Sequence, residues 1–503
     1  MAEQKKFYVA TSIAYVNAPP HIGYAMELAQ ADVLARYHRL RGDDVFFLTG
    51  TDEHGKKIAE AAAKAGMEPQ AYADKMSARF VALCEKLNIS YTRFIRTTDK
   101  RHVSVVERIW KHMEENGDIY KAMYEGRYCT GCEAFLREAE MEDGVCRIHK
   151  KETQAVHEEN HFFKFSKYAA RVERAIREDE ILILPEFRKK EILNLFSDEG
   201  IKDFSVSRPK ESVGWGIPVP GDDSQIIYVW IDALMNYISG APQGRLPADV
   251  HVIGKDIMRF HTMMLPAFLL SLGYPLSRSI AIHGFILAEG QKMSKSLGNV
   301  IDPMELIAQY GKEAVRYYVL REIPSDDDGD FSAARFEERY TADLQNGLGN
   351  LVSRVTALAE KYPHVYEGIT VGDVFSDTAR GEFQTTYSAY NDCIRRFQLH
   401  RALEHVWHFV DDSNALVNEA KLWELAEKDA EKAKAVFRTL AENMYAVGVL
   451  LAPFLPNTAE RVLHALGIDD ALSFTDASKK VVRFQKPAQP LFPRLEQNLE
   501  SRK

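Results

Sequence analysis

Lys292-Met293-Ser294-Lys295-Ser296, followed by Leu297-Gly298-Asn299, puts two ammonium groups and two hydroxyls on five consecutive residues. Lysine is a compact point charge for phosphate and hydroxyls add hydrogen bonds, so a mobile loop of this composition can close on a polyphosphate. Far upstream, Pro19-Pro20-His21-Ile22-Gly23-Tyr24 separates a strand pattern from a helix pattern. At such a junction the free N–H groups and dipole of the helix attract phosphate. There His21 can donate to a phosphate oxygen, and Gly23, lacking a side chain, lets the backbone approach an adenine. Either stretch alone reads equally well as an ordinary loop or turn; the pair points to a nucleotide. A third constellation is Cys129-x-x-Cys132, thirteen residues, then Cys146-x-x-His149. Two close pairs of soft ligands match a tetrahedral zinc site of three thiolates and one imidazole. Four protein ligands leave no position for a substrate, so the expected role is structural.

The elements that must position these residues follow from periodicity. Phe7 to Ala14 is apolar and β-prone, a helical pattern runs from Gly23 to Leu40, Gly42-Asp43-Asp44 breaks it, and Val45-Phe46-Phe47-Leu48 reads as a buried strand. Strand, turn, helix, strand is a βαβ unit and predicts a parallel sheet. The next strand-like runs, Val250–Gly254 and Ile280–Ile282, come much later, so the nucleotide fold is split. The fold class expected is α/β: a Rossmann-type parallel-sheet catalytic domain in two pieces, 1–116 and 226–335, the second carrying the lysine loop. An insertion, 117–225, holds the zinc knuckle. From 336 to 503 apolar residues recur at spacings of three and four, which predicts an α-helical bundle. A formal net charge of −9 argues against a generally basic nucleic-acid coat, while a local basic face stays open. Five cysteines are too few for a disulfide framework. No apolar run reaches membrane-spanning length, and Met1-Ala2-Glu3-Gln4-Lys5-Lys6 leads straight into strand residues, so a cytoplasmic location is expected.

The two nucleotide stretches resemble the signatures of class I aminoacyl-tRNA synthetases, His-Ile-Gly-His and Lys-Met-Ser-Lys-Ser, with Tyr24 in place of the second histidine. Further blocks narrow the resemblance: Leu48-Thr49-Gly50-Thr51-Asp52-Glu53-His54-Gly55, Tyr228-Val229-Trp230-Ile231-Asp232-Ala233-Leu234-Met235-Asn236-Tyr237, and His251-Val252-Ile253-Gly254-Lys255-Asp256-Ile257 running into Arg259-Phe260-His261. In this order they look like the methionyl-tRNA synthetases, of the bacterial type with a single zinc knuckle. The resemblance implies activation of methionine with ATP and Mg²⁺, then transfer to the terminal ribose of tRNA(Met). Carried over block by block, it puts the methionine pocket on Ile13, Tyr15, Trp230, Ala233, Tyr237, Ile257, Phe260 and His261, with Asp52 holding the substrate ammonium. A thioether suits apolar and aromatic walls with one or two weak donors, for which Tyr15 and His261 are the candidates. Gly254 and Asp256 would meet the ATP ribose, the backbone near Ile286 the adenine, and Glu27 would lie beside the site. Catalytic weight would fall on His21, Lys292 and Lys295, with Gly23 and Tyr24 completing the ATP contacts. Asn350 and Arg354, four apart on one helix face, and Trp423 would read the anticodon. Some relatives carry an appended dimerising domain that finds no counterpart here, so a monomer is expected. A cysteine-activating relative would use zinc to hold a substrate thiolate, which the four-ligand set disfavours. A non-catalytic RNA-binding relative is disfavoured by the intact His21, Asp52, Lys292 and Lys295.

Overall fold

The computed structural model of the protein describes residues 4–131, 134–136, 138, 141–147, 150–197, 201–293, 299–372, 374–375, 381–470, 473–474 and 478–495. Its centre is a parallel sheet. The first strand, Lys6–Thr11, lies between Asp44–Asp52 and Val250–Gly254, and Ser279–His283 follows beyond the latter. Asp44–Asp52 also pairs with Arg93–Arg96 and with the two-residue strand Ala14–Tyr15. One difference from the sequence reading stands out. Leu182–Leu184, inside the stretch read as insertion, runs parallel to Ser279–His283 as an edge strand of the same sheet. Three residues are too few for an alternation pattern to register.

The helix Ile22–Leu40 follows the first strand and its turn. It is buried on nearly every side, from Ile22 and Ala25 through Val33 to Tyr37, so it is a core helix and not an amphipathic cover. His21 caps its N-terminus by accepting the Gly23 N–H at Nδ1, 3.1 Å away. Its first turn therefore sits at the carboxyl end of the central strands, where open α/β sheets bind ligands.

The other strands of the insertion pair antiparallel, and the helices Ala169–Arg177 and Glu186–Ser197 lie among them in sequence. Ile119–Cys129 and Gln154–Phe163 form a long ribbon, extended by Ala134–Leu136 and Phe204–Ser205. A small sheet of Ile286–Ala288, Gln291–Lys292 and Gly329–Phe331 carries the lysine-loop segment. Beyond it the chain is helical, with Leu399–Glu419 and Ala430–Leu451 as its longest members. The helical pattern read from Leu344 to Leu358 resolves into a π-helix, Tyr340–Gly349, continued by an α-helix, Asn350–Lys361. Among the described residues, no helix is long and apolar enough to cross a membrane.

Candidate active site

A cavity of about 740 Å³ opens at the carboxyl end of the central strands. That size suits a small-molecule site. From the nucleotide set, His21, Gly23, Tyr24 and Glu27 of the first turns of the helix border it, as do Gly254, Asp256 and Ile286 from across the sheet. From the methionine set it is bordered by Ile13, Tyr15 and Asp52 on one side, and by Trp230, Ala233 and Tyr237 on another. Ile257, Phe260 and His261 line the third side. Two sets drawn from distant parts of the chain thus share one space. A larger cavity, about 1180 Å³, lies at the far end of the same helix and contains none of these residues. Its arginines are bound internally, Arg36 to Asp32, Arg39 to Ser90 and Arg461 to the carbonyls of residues 489–491.

Met293 and Val300 border the cavity on either side of residues 294–298, and Ile22 N–H donates to Ile301 O at 3.1 Å. Lys295 and the side chain of Lys292 lie outside the described residues.

At the phosphate end, His21 accepts the Gly23 N–H at Nδ1, so its Nε2 is the nitrogen left to donate into the cavity. The ring opens to the cavity yet has protein around most of it, and that desolvation holds it below the ordinary histidine pKa. Asp256 opposes the effect and His283 adds to it. A side chain at position 23 would meet the His21 ring at 3.0 Å, so the missing Cβ makes room for that ring. Tyr24 departs from its expected duty. Its ring is buried edge-on to Phe80, and its hydroxyl lies 3.2 Å from Thr49 Oγ1 and donates to Gly50 O at 3.4 Å. The phenol proton is turned to the sheet, away from any phosphate, and burial keeps the group neutral.

At the amino-acid end the walls are aromatic and uncharged. Trp230 stacks on Phe260 at 3.7 Å. His261 is held at both nitrogens: Nδ1–H donates to Ile257 O at 3.1 Å, and Nε2 accepts the Tyr237 hydroxyl at 2.7 Å. Burial pushes its pKa down to about 4, so it is neutral. This corrects one expectation: His261 has no ring N–H left for a substrate sulfur, whereas Tyr15, the other candidate donor, borders the cavity. Phe260 and His261 belong to a π-helical turn, Phe260–Met264, a geometry frequent at functional sites.

Beneath the pocket Asp232, on the same short helix as Trp230 and Ala233, accepts from His54 at 2.6 Å and from His102 at 2.7 Å. Burial alone would raise its carboxyl, but the two histidines hold it at about 2. The helix bearing Trp230 is thereby tied to the Asp52–His54 segment. Sequence reading missed this link, along with Lys57, whose ammonium lies over the Tyr15 ring and donates to Gly131 O. It also missed His283, whose one available signal was its place at the end of a central strand.

Cys129 closes the long ribbon and Cys146 the hairpin Met141–Glu142/Val145–Cys146. Both are buried in one apolar cluster. Lys150 N donates to Cys146 O at 2.8 Å. Two buried thiols in one cluster fit a zinc knuckle; Cys132 and His149 lie outside the described residues. In the helical region Arg354 Nη2 donates to Asn418 Oδ1 at 2.7 Å, Asn350 lies beside Asn414, and Trp423 is 40% exposed.

The chain matches the family described as "tRNA synthetases class I (M)" over residues 7–146 and 136–356, and the "Anticodon-binding domain of tRNA ligase" over residues 377–498. It is 41% identical to the methionine–tRNA ligase of Clostridium acetobutylicum, across 99% of this chain and 79% of that one. The corresponding enzyme of Thermotoga maritima is 40% identical across 92% and 76%. A solved structure of Mycobacterium tuberculosis methionyl-tRNA synthetase in complex with methionyl-adenylate superposes with a TM-score of 0.88 at 35% identity. It covers 98% of this chain and 100% of that one. The chain belongs to the methionyl-tRNA synthetase family.

Proposed function

We propose that the protein activates L-methionine with ATP to methionyl-adenylate and transfers methionine to the 3′-terminal ribose of tRNA(Met). The observation that carries this reading is the single cavity shared by the His21–Glu27 helix turn and the Trp230/Phe260 pocket. In the first step the methionine carboxylate attacks the α-phosphate and pyrophosphate leaves. No protein nucleophile is required; alignment and charge stabilisation carry the catalysis. Asp52 receives the substrate ammonium, the neutral aromatic walls take the thioether, and Tyr15 is the donor to sulfur. His21 Nε2–H meets a phosphate oxygen, Gly254 and Asp256 the ribose, and the Ile286 backbone the adenine. Lys292 and Lys295 receive the departing pyrophosphate. Mg²⁺, when bound with ATP, neutralises phosphate charge. In the second step a ribose hydroxyl of tRNA attacks the adenylate.

Cys129, Cys132, Cys146 and His149 hold one structural zinc in this reading. The division into 1–116 with 226–335, 117–225 and 336–503 is kept, with Leu182–Leu184 reassigned to the catalytic sheet. A cytoplasmic monomer is part of this reading; sedimentation would test the monomer. The deciding experiment for the function is methionine-dependent ATP–pyrophosphate exchange by the wild type and by Lys295→Ala. Strong exchange in the first and a large drop in the second is expected. Absent exchange with methionine, or no drop in the variant, overturns the reading.

A further inference from the structure

His283 ends the strand Ser279–His283 and borders the nucleotide half of the cavity, 256 residues from its partner Glu27. The two are nearly buried, with 8% and 6% of their side chains exposed. With Glu27 ionised, their hydrogen bonds place the protons. His283 Nδ1 lies 2.8 Å from Gly284 O, and a carbonyl only accepts, so Nδ1 carries a hydrogen. His283 Nε2 lies 3.0 Å from Glu27 Oε2, a carboxylate oxygen that also accepts. A ring that donates from both nitrogens is an imidazolium. The other carboxylate oxygen, Glu27 Oε1, accepts from Ser12 Oγ at 2.6 Å, so Glu27 is held at both ends. The pair has little freedom to rearrange. Any side chain at Gly254 would meet Asp256 Oδ1 at 2.8 Å and His283 Cε1 at 3.6 Å.

We infer that His283 is a positioning residue for ATP. As an imidazolium it neutralises Glu27 and fixes that carboxylate as an acceptor for the hydroxyl and amino hydrogens of a nucleoside, so that Glu27 does not face the polyphosphate as a bare anion. The inference deepens the proposed function and rests on it for the identity of the nucleotide. An uncompensated carboxylate in this cavity would repel a triphosphate at short range and low dielectric. The departure at position 24 adds to the need, because Tyr24 gives its proton to the sheet. Among the described residues, the charged and titratable groups facing the pair are His21 and Tyr24 from the helix, Asp256 from the turn after the adjacent strand, and Tyr237. Burial lowers the pKa of His283, but the hydrogen bond and charge of Glu27, then Gly284 O and Asp256, outweigh it and leave it above the ordinary histidine value.

Three measurements test this. With ¹³Cε1-labelled histidine, the His283 resonance in the wild type carries the imidazolium signature at neutral pH and loses it in Glu27→Gln. In ATP titration calorimetry without methionine, His283→Gln weakens binding about tenfold, the size of one charge-assisted contact, while the methionine KM in exchange stays within about twofold. The double variant Glu27→Gln/His283→Gln binds ATP more tightly than His283→Gln alone, because it removes the unpaired charge. A neutral His283 in the wild type, equal losses in ATP and methionine, or a double variant no better than the single overturns the inference. If His283→Gln does not fold, the imidazolium resonance of the wild type and its loss in Glu27→Gln decide. A wild type that binds ATP but shows no methionine-dependent exchange sinks the functional reading instead and leaves the ATP titrations to judge His283.

Discussion

Position 24 is where this chain departs from its family signature, and the phenol there serves packing. Its hydroxyl is spent on Thr49 and Gly50, so the cavity lacks the donor that a histidine would offer. Tyr24→His should lower the ATP KM or raise the exchange rate by roughly tenfold, the worth of one hydrogen bond to a charged group. Exchange kinetics of the two proteins side by side check this, and an unchanged or slower variant would mean that His21 and the lysine loop already suffice. The methionine pocket makes a second residue-level prediction. Burial holds His261 at about 4 and, together with His261 itself, holds His251 at about 3. Both ionise near 6.5 when unfolded. A histidine with a depressed folded pKa contributes stability in full above its unfolded pKa and loses it as pH falls through the folded value. Stability should therefore fall between pH 6.5 and 4, by ~3 kcal/mol for His261 alone. Urea midpoints across that range should show a shallower decline in His261→Gln. Asp232, held at about 2, enters only below its ordinary carboxylate range, as pH falls from about 4 towards 2.

The helix Ile22–Leu40 bears the ATP-facing turn at one end and a buried ion pair in its middle. Asp32 lies 2.8 Å from Arg316, and neither side chain is exposed. Arg316, on the helix Lys312–Arg321, also donates to Phe454 O at 2.7 Å and to Leu87 O and Pro453 O at 3.2 Å each. One guanidinium thus ties the ATP helix to the carboxyl end of Ala430–Leu451, in the helical region. Arg316→Met should cost about 3–5 kcal/mol, because it takes one cationic partner from a buried carboxylate and the donor from three carbonyls. Arg36 and Ser90, which also bind Asp32, place the cost at the low end. Urea unfolding measures it, and Asp32→Asn in the same chain should cost less than the sum of the two single changes. This tie was not legible in the sequence. Local spacing revealed the signatures, the zinc pairs and the helical region, because those signals lie within a few residues of one another. Asp32–Arg316, Glu27–His283 and Asp232–His102 join residues on separate elements, and no periodicity encodes such a meeting. The Leu182–Leu184 strand escaped for the opposite reason: it is local but too short to show a pattern.

At the scale of the whole molecule, chemistry and tRNA selection fall at opposite ends of the chain, so they should fail separately. The helices from Asn350 onward present Arg354 and Asn418 in a hydrogen bond, Asn350 beside Asn414, and Trp423 at 40% exposure. Trp110 and Trp407, by contrast, are packed inside. Trp423 stands at the start of Leu422–Lys428, which Lys421 enters in a left-handed conformation at φ 43°; the Tyr362 hydroxyl donates to Glu427 Oε1 at 2.6 Å and lies 3.2 Å from the Trp423 carbonyl. The short helix is thus pinned through Glu427 while part of the indole faces solvent. The rest of that side chain is packed against protein, so its replacement should lower the melting temperature modestly. In the proposed function the indole is a platform for an unstacked anticodon base, and such stacking is worth about 1–3 kcal/mol. Trp423→Ala should therefore lower kcat/KM for tRNA(Met) by roughly five- to 150-fold in aminoacylation, with ATP–pyrophosphate exchange kept. A loss in exchange of the same size would place Trp423 in the structural coupling between the two ends. Undiminished charging would remove it from the anticodon face and leave Asn350 and Arg354 to carry recognition there.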